Sequence, residues 1–399
     1  MNIRYQQIQG RSLGFYALIA GLGVLILASL GSVLFMEHHG HYVTGMSNRV
    51  VWGIPHVFAL FLIVAASGAL NVASIASVFG KKIYKPLARL SGLVSLALLA
   101  GGLMVLVLDL GRPDRLIVAM TEYNFNSIFA WNIILYNGFF VIVAVYLWMM
   151  FERRMNKFTS KAGLAAFSWR LILTTGTGSI FGFLVARQAY DAVIMAPMFI
   201  IMSFAFGLAI FILILMASYK WTERPLGDMI VNRLGNLLGV FVAAVMYFVA
   251  IKHLGSLYLA ENAGVENFIL FGEYIYTPLF WIGQIVIGGL VPMALIYFPA
   301  FKGNRMTLGL ASVLVLVGGI IQLYIIIVGG QAYPMEMFPG KEILEGYGGI
   351  ATYTPSLPEV MLGVGGIAVA IIAVTLLVKF LPFLPESLAD DVADPHYKK

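Results

Sequence analysis

The chain has 399 residues, 60% hydrophobic and only 11% charged, with a mean hydropathy of +0.91; soluble domains run about half apolar and about a quarter charged, so a soluble fold is excluded. The formal charge of +6 and the pI near 9.3 would suit nucleic acid only if the basic residues clustered, and they are scattered between apolar runs. With no cysteine, the chain supplies no all-thiolate iron–sulfur cluster, no thioether-linked haem and no disulfide.

A spanning helix needs about 20 apolar residues, because the hydrocarbon core is roughly 30 Å thick and gives backbone amides no partner. Apolar stretches predict an all-α integral membrane fold with ten helices, over 13–36, 51–79, 87–110, 127–150, 164–186, 192–217, 234–258, 276–299, 306–328 and 358–380. The run from Leu13 to Met36 follows Arg4 and Arg11 as a secretory signal would, but it is too long and lacks a small-residue cleavage site, so it reads as a retained first helix. Loop charge sets the orientation. Of 25 basic residues, Arg49, Arg112, Arg115, Arg187, Lys252 and Lys341 fall on one side and the other 19, Arg170 among them, on the opposite side, which is then cytoplasmic with both termini. The longest external connections are 259–275 and 329–357, each a docking surface, a lid or a plain connector. The tail 381–399, with Asp390, Asp391 and Asp394, reads as polar and mobile. No soluble domain can be cut from this sequence. A faint echo sets Pro55-His56-Val57-Phe58 on helix 2 beside Pro197-Met198-Phe199 on helix 6.

Ionisable groups inside a span cost at least about 2.5–3.5 kcal/mol at the midplane, so those present need a reason. His56 lies near the outer end of helix 2, after Trp52; Asp109 closes helix 3 at the same rim in the turn Asp109-Leu-Gly-Arg112-Pro113; helix 4 enters with Asn124, Asn126, Ser127, Trp131 and Asn132. Three helices thus converge at one depth with an imidazole, a carboxylate, a guanidinium, amides and indoles. A quinone headgroup fits such a pocket, since its carbonyl oxygens need donors and a quinol's protons need an acceptor, and histidine is the residue type that exchanges protons near neutral pH. The bland alternative pairs Asp109 with Arg112 or Arg115, leaves Trp52 and Trp131 in the interfacial belt, and bonds His56 to a backbone carbonyl.

Other candidates are weaker. His56 and His253 are the only histidines near the membrane and would have to face each other to hold a haem. His38, His39 and His41 form either a metal site or a solvated loop, and Arg187 with Asp191 reads as a structural ion pair. Gln284 and Gln322 line a water path or bond between helices; Asn71, Asn137, Tyr136, Thr174, Thr175, Thr177 and Ser179 continue a polar route inward or pack.

At this point the sequence resembles the NrfD/PsrC family of quinone-interacting membrane subunits, in its ten-helix branch, along essentially its whole length. The resemblance rests on Trp52-Gly53, the Asp109-Leu-Gly-Arg112-Pro113 turn, Asn126-Ser127 with Trp131, and Thr175-Gly-Thr-Gly-Ser179. The stretch from Gly45 to Phe58 is most similar to the branch found in the Dsr complexes of sulfur metabolism, the DsrP type. It implies two four-helix bundles, helices 2–5 (51–186) and 6–9 (192–328), with helices 1 and 10 at the flanks. It also implies a bacterial inner-membrane location and one exchangeable menaquinone or ubiquinone near the outer surface. The family's quinone contacts carry over onto His56, Asp109, Asn126 and Trp131; the pocket read from the residues adds Trp52, Arg112 and Ser127 around the ring, with His56 and Asp109 handling the protons. No haem, cluster or metal is implied in this polypeptide; electrons are exchanged with an extracytoplasmic ferredoxin-like iron–sulfur subunit, with a cytochrome b subunit and a multihaem cytochrome c as further partners. Because Met198 replaces the histidine that the echo would require, a single quinone site is expected. A secondary transporter or proton-translocating channel, and a passive anchor, are the competing readings; a transporter usually binds its solute near the midplane on broken helices.

Overall fold

In the computed structural model, which describes residues 3–335 and 348–393, nearly all regular structure is helical. The long helices are α1 (Leu13–His39), α2 (Ile54–Ser77), α3 (Lys82–Leu108), α4 (Ile128–Phe151), α5 (Thr159–Gly182), α6 (Met195–Trp221), α7 (Asp228–Tyr258), α8 (Tyr276–Tyr297), α9 (Arg305–Ala332) and α10 (Leu357–Phe380). Nine of them, among the described residues, are long and apolar enough to cross a membrane; α5 is not. The helix expected over 164–186 forms, but it begins at Thr159 and carries Lys161 and Arg170 among many Ser, Thr and Gly residues. Arg170, counted above with the cytoplasmic loops, is instead a fully buried mid-helix residue.

Helix ends follow local chemistry. Ser12 caps α1 by accepting from the Phe15 amide, and Gly40 at φ 87° ends it where a side chain would be strained. Ser356 and Glu359 form a capping box at the start of α10. Two helices depart from α geometry: residues 279–290 of α8 and 325–329 of α9 are π-helical, with wider turns.

α2 packs on α3, α5 and α6; α3 on α4; α4 on α5; α6 on α7 and α9; α8 on α7 and α9; and α10 on α1, α2 and α3. The hydrophobic window of α2 is 89% buried and that of α1 is 17%, so α2 is the central helix and α1 is peripheral. The α2–α6 crossing depends on glycine. A Cβ on Gly68 would fall on the Ser203 carbonyl, and one on Gly207 would strike the backbone of Gly68 and Ala69. Gly68→Ala is therefore expected to destabilise the protein by about 1–3 kcal/mol, the usual cost of overpacking, read as a lower thermal midpoint in detergent; an unchanged midpoint would mean the helices are free to move apart.

The segments before α1 and after α10 meet at one face. Tyr5–Gln6 pairs antiparallel with Leu384–Pro385. Arg89 of α3 lies 3.9 Å from the Tyr5 ring and 4.6 Å from that of Phe151, donating to the carbonyls of Met150 and Pro382. Arg224 donates to the carbonyls of Gln6 and Gln7, and Tyr219 to that of Pro385. Thus the segment from Pro382 through Asp390, expected to be mobile, is docked, with Phe383, Leu384 and Leu388 buried; Asp394 and the rest of the tail lie outside the described residues, as does Lys341. At the opposite face, the connection 259–275 is not a plain loop either. It folds into a short helix, Ala263–Leu270, whose Val265, Glu266, Phe268 and Ile269 are buried.

Candidate functional site

His56 sits in the first turn of α2, behind the Gly53 cap and Pro55, and Asp109 follows the last turn of α3 at the same face. Their side chains meet: His56 Nδ1 lies 2.7 Å from Asp109 Oδ2, with the imidazole 18% exposed and the carboxylate 1%. The approach is close but not in line for a hydrogen bond, so both Asp109 oxygens and His56 Nδ1 are buried without an aligned partner. Unpartnered buried polar atoms are uncommon and costly, about 1–3 kcal/mol each, and more for charged groups. The imidazole is the member of the pair that a ligand can reach, with the carboxylate sealed behind it. Trp52 stacks on the imidazole at 6.1 Å and 26° and itself packs on Phe129, Phe181 and Tyr190. The pair is thus walled on one side by flat apolar rings.

The loop that carries Trp52 is held from the far half of the protein. Gln331, at the end of α9, accepts from the amides of Val51 and Trp52 at 2.9 and 3.0 Å and donates to the Trp52 carbonyl at 2.9 Å. Arg187 donates to the carbonyls of Gln331 and Arg49, both at 3.0 Å. Tyr353 accepts from the Ile54 amide at 2.7 Å and donates to Glu359 Oε1 at 2.8 Å, while Glu359 Oε2 accepts from the amides of Gly45 and Ser356 at 2.8 Å. Burial lowers the pKa of Arg187, against the pull of Tyr190, and raises those of Tyr190 and Tyr353, so both phenols stay protonated donors. None of these four positioning residues was singled out for this role from sequence; a lone Gln or Glu in an apolar helix was the signal available.

Of the residues expected around the ring, the structure brings together His56, Asp109 and Trp52, and not the others. Arg112 turns away to a two-pronged contact with Asp114 at 2.9–3.0 Å in an exposed position. That hydrogen bond raises the Arg112 pKa and lowers that of Asp114. Asn126 is exposed, its backbone amide donating to the Asn124 side chain; the Ser127 side chain makes no cap bond; and the Trp131 indole donates to the Phe125 carbonyl in a residue that is 44% exposed. The contribution of α4 is Phe129 instead. Asn132 faces α5, donating to the Gly176 carbonyl. The bland pairing of Asp109 with an arginine does not form either, because the nearer partner is His56.

The structure also places the three weaker candidates. Arg187 bonds to backbone carbonyls and makes no ion pair with Asp191 among the described residues. His56 and His253 each have their own carboxylate, so they do not face one another. His38, His39 and His41 form no metal-binding group among the described residues; His41 sits half-buried with Nε2 unpartnered, beside Gly111 of the Asp109 turn.

Residues 42–335, which include both helices of the His56–Asp109 pair and the whole second half, match the family described as "Polysulphide reductase, NrfD". The chain belongs to the NrfD family. This NrfD-family protein is similar over 99% of its length, at 28% identity, to the whole of the Hdr-like menaquinol oxidoreductase integral membrane subunit of Archaeoglobus fulgidus. It is 26% identical to a putative dimethyl sulfoxide reductase membrane subunit of Halobacterium salinarum, with 90% of each sequence covered. With a polysulfide reductase polypeptide of Wolinella succinogenes it shares 22% identity over 72% of its own length and 96% of that relative's. As an NrfD-family protein it is an integral membrane subunit of an oxidoreductase complex, of the kind that interacts with quinone.

Proposed function

We propose that this NrfD-family subunit exchanges electrons between membrane quinone and an extracytoplasmic ferredoxin-like iron–sulfur partner, with His56 and Asp109 as its proton-handling residues. Menaquinone or ubiquinone is the exchangeable cofactor, and dissimilatory sulfur metabolism of the DsrP type is the setting, with a cytochrome b subunit and a multihaem cytochrome c as further partners. The protein crosses a bacterial inner membrane ten times, α5 included, in two four-helix bundles, α2–α5 and α6–α9, and keeps both termini cytoplasmic. α5 turns Arg170, Thr174, Thr177 and Ser179 inward, where they are buried, which is why it tolerates a polar sequence.

The observation that carries the reading is the close, misaligned His56–Asp109 contact under the Trp52 ring. A bound quinol supplies the electrons and the hydroxyl protons. His56, the partly exposed member of the pair, meets the ring hydroxyl and takes up its proton, its cationic form stabilised by the buried Asp109 carboxylate 2.7 Å away, and passes it to the outer face before the second hydroxyl proton follows the same way. Trp52 and Phe129 orient the flat ring and keep water from the pair. In the reverse direction the same groups return the protons.

Photolabelling of the native complex with an azido-quinone, followed by peptide mapping, tests the location. Label is expected within 44–60 and 105–131, competed by unmodified quinone; competed label confined to other helices overturns it.

A further inference from the structure

The chemistry at His56 and Asp109 leaves a second buried ionisable cluster without a task. Lys252 and His253 lie near the end of α7, about 9 Å inside it at 1.5 Å per residue, and both are buried. Glu266, 2% exposed, reaches them from the short helix Ala263–Leu270. His253 Nδ1 and Glu266 Oε2 are 2.6 Å apart, and the imidazole stands edge-on to Phe280 of α8 at 4.7 Å. Lys252 precedes His253 on the same helix and is buried with it. The phenol of Tyr333 packs on Gly264 from the other side of the short helix. Ionisable side chains at this depth are costly and are kept for proton or ion handling more often than for packing.

A polar track runs from this cluster toward the terminal face. One π-turn below Phe280 is Gln284, and opposite it on α9 is Gln322, whose amide nitrogen is buried without a partner. Both line a cavity together with Met246 and Val249 of α7, with room for about one water molecule. Positions 253, 249, 246, 242, 239, 235 and 232 follow one face of α7 at spacings of four and three. That face ends in a recess lined by Asn232, Asn236, Lys302, Asn304 and Thr307, beside which the Tyr297 hydroxyl donates to the Asn236 carbonyl at 3.0 Å. The first half is different. At the middle of α5 the Arg170 guanidinium lies 4.9 Å from the rings of both Phe167 and Phe204, makes no ion pair among the described residues, and donates to the Ser67 carbonyl. A fixed cation there repels protons, whereas Gln284 and Gln322 are neutral and can hold water.

We propose that the His253–Glu266 pair is a proton-binding site, filled from the Asn232–Asn304 recess through water held by Gln284 and Gln322 and emptied at the opposite face. Only O–H and N–H bonds form and break. Glu266 and His253 share the proton, and Lys252 balances the carboxylate when it leaves. The apolar stretch at Val242 and Val315 must hydrate for each passage, which keeps the track closed at rest.

The proposal does not require quinone at His56. Infrared difference spectra of the reconstituted native complex, taken as pH is stepped, are expected to show a carboxylic C=O band that is lost in Glu266→Gln and shifted in Glu266→Asp. Absence of such a band from the wild type, or its persistence in Glu266→Gln, overturns the site. In proteoliposomes, Glu266→Gln and Gln322→Leu are expected to lower protons moved per electron while turnover in detergent stays within about twofold; an unaltered proton yield overturns the route. Should the wild-type complex fail to react with quinol, the quinone reading falls, and the infrared result still decides this one.

Discussion

Asp109→Asn in the assembled complex is expected to lower quinol-dependent electron transfer about a hundredfold or more, within the range for loss of general acid–base catalysis. The amide is nearly the same size and fills the same buried place, but it carries no charge to stabilise a protonated His56 across 2.7 Å. His56→Gln removes the proton acceptor and should cost a similar factor. Because the two residues act as one unit, the double variant is expected to fall little further than either single one. Steady-state oxidation of a menaquinol analogue by purified complex, with the full set of subunits verified on the same preparation, measures all three. Turnover within threefold of wild type in Asp109→Asn would remove the pair from the chemistry. Multiplicative losses in the double variant would mean the residues work separately.

The second large effect is expected at Glu359, which touches no proposed ligand. Glu359→Ala removes a buried carboxylate and leaves the half-buried Tyr353 hydroxyl and the amides of Gly45 and Ser356 without their acceptor. A hydrogen bond to a charged group contributes about 1.5–3 kcal/mol, so the loss is expected to be at least of that order. The loss reaches function through position: Tyr353 then no longer fixes the Ile54 amide, two residues from His56. Lower thermal stability in detergent should come with weaker quinol binding, seen as a raised KM, while Glu359→Gln, which keeps one acceptor oxygen, should lose less of both. Full stability in Glu359→Ala would show that water replaces the carboxylate.

The residues that the structure brings together as the sequence placed them are those whose chemistry conflicts with their surroundings. A histidine and an aspartate at the rims of two apolar runs had no reason to be there unless they met, and they do. Arg112, Asn126, Ser127 and Trp131 were placed with them by adjacency in the sequence, but a turn offers local partners, and Asp114, Asn124 and Phe125 took them. The support of the site was not legible for the opposite reason. Gln331 and Glu359 lie roughly 300 residues from the loop they hold, so no spacing links them to it. His253 was noted near the membrane, but its carboxylate stood in what reads as a surface loop.

Composition and apolar run length by themselves determined that the protein is helical and membrane-embedded, because a bilayer leaves backbone amides no other way to pair. Run length also located nearly every helix to within a few residues. Which helices touch, which buried polar atoms lack partners, and that Arg170 lies inside the helix packing were decided only by tertiary structure. Lipid is as apolar as leucine, so hydrophobicity cannot tell a lipid-facing side of a helix from a packed one. The glycines at 68 and 207, and the side chains that bond across the two halves, make that choice in three dimensions.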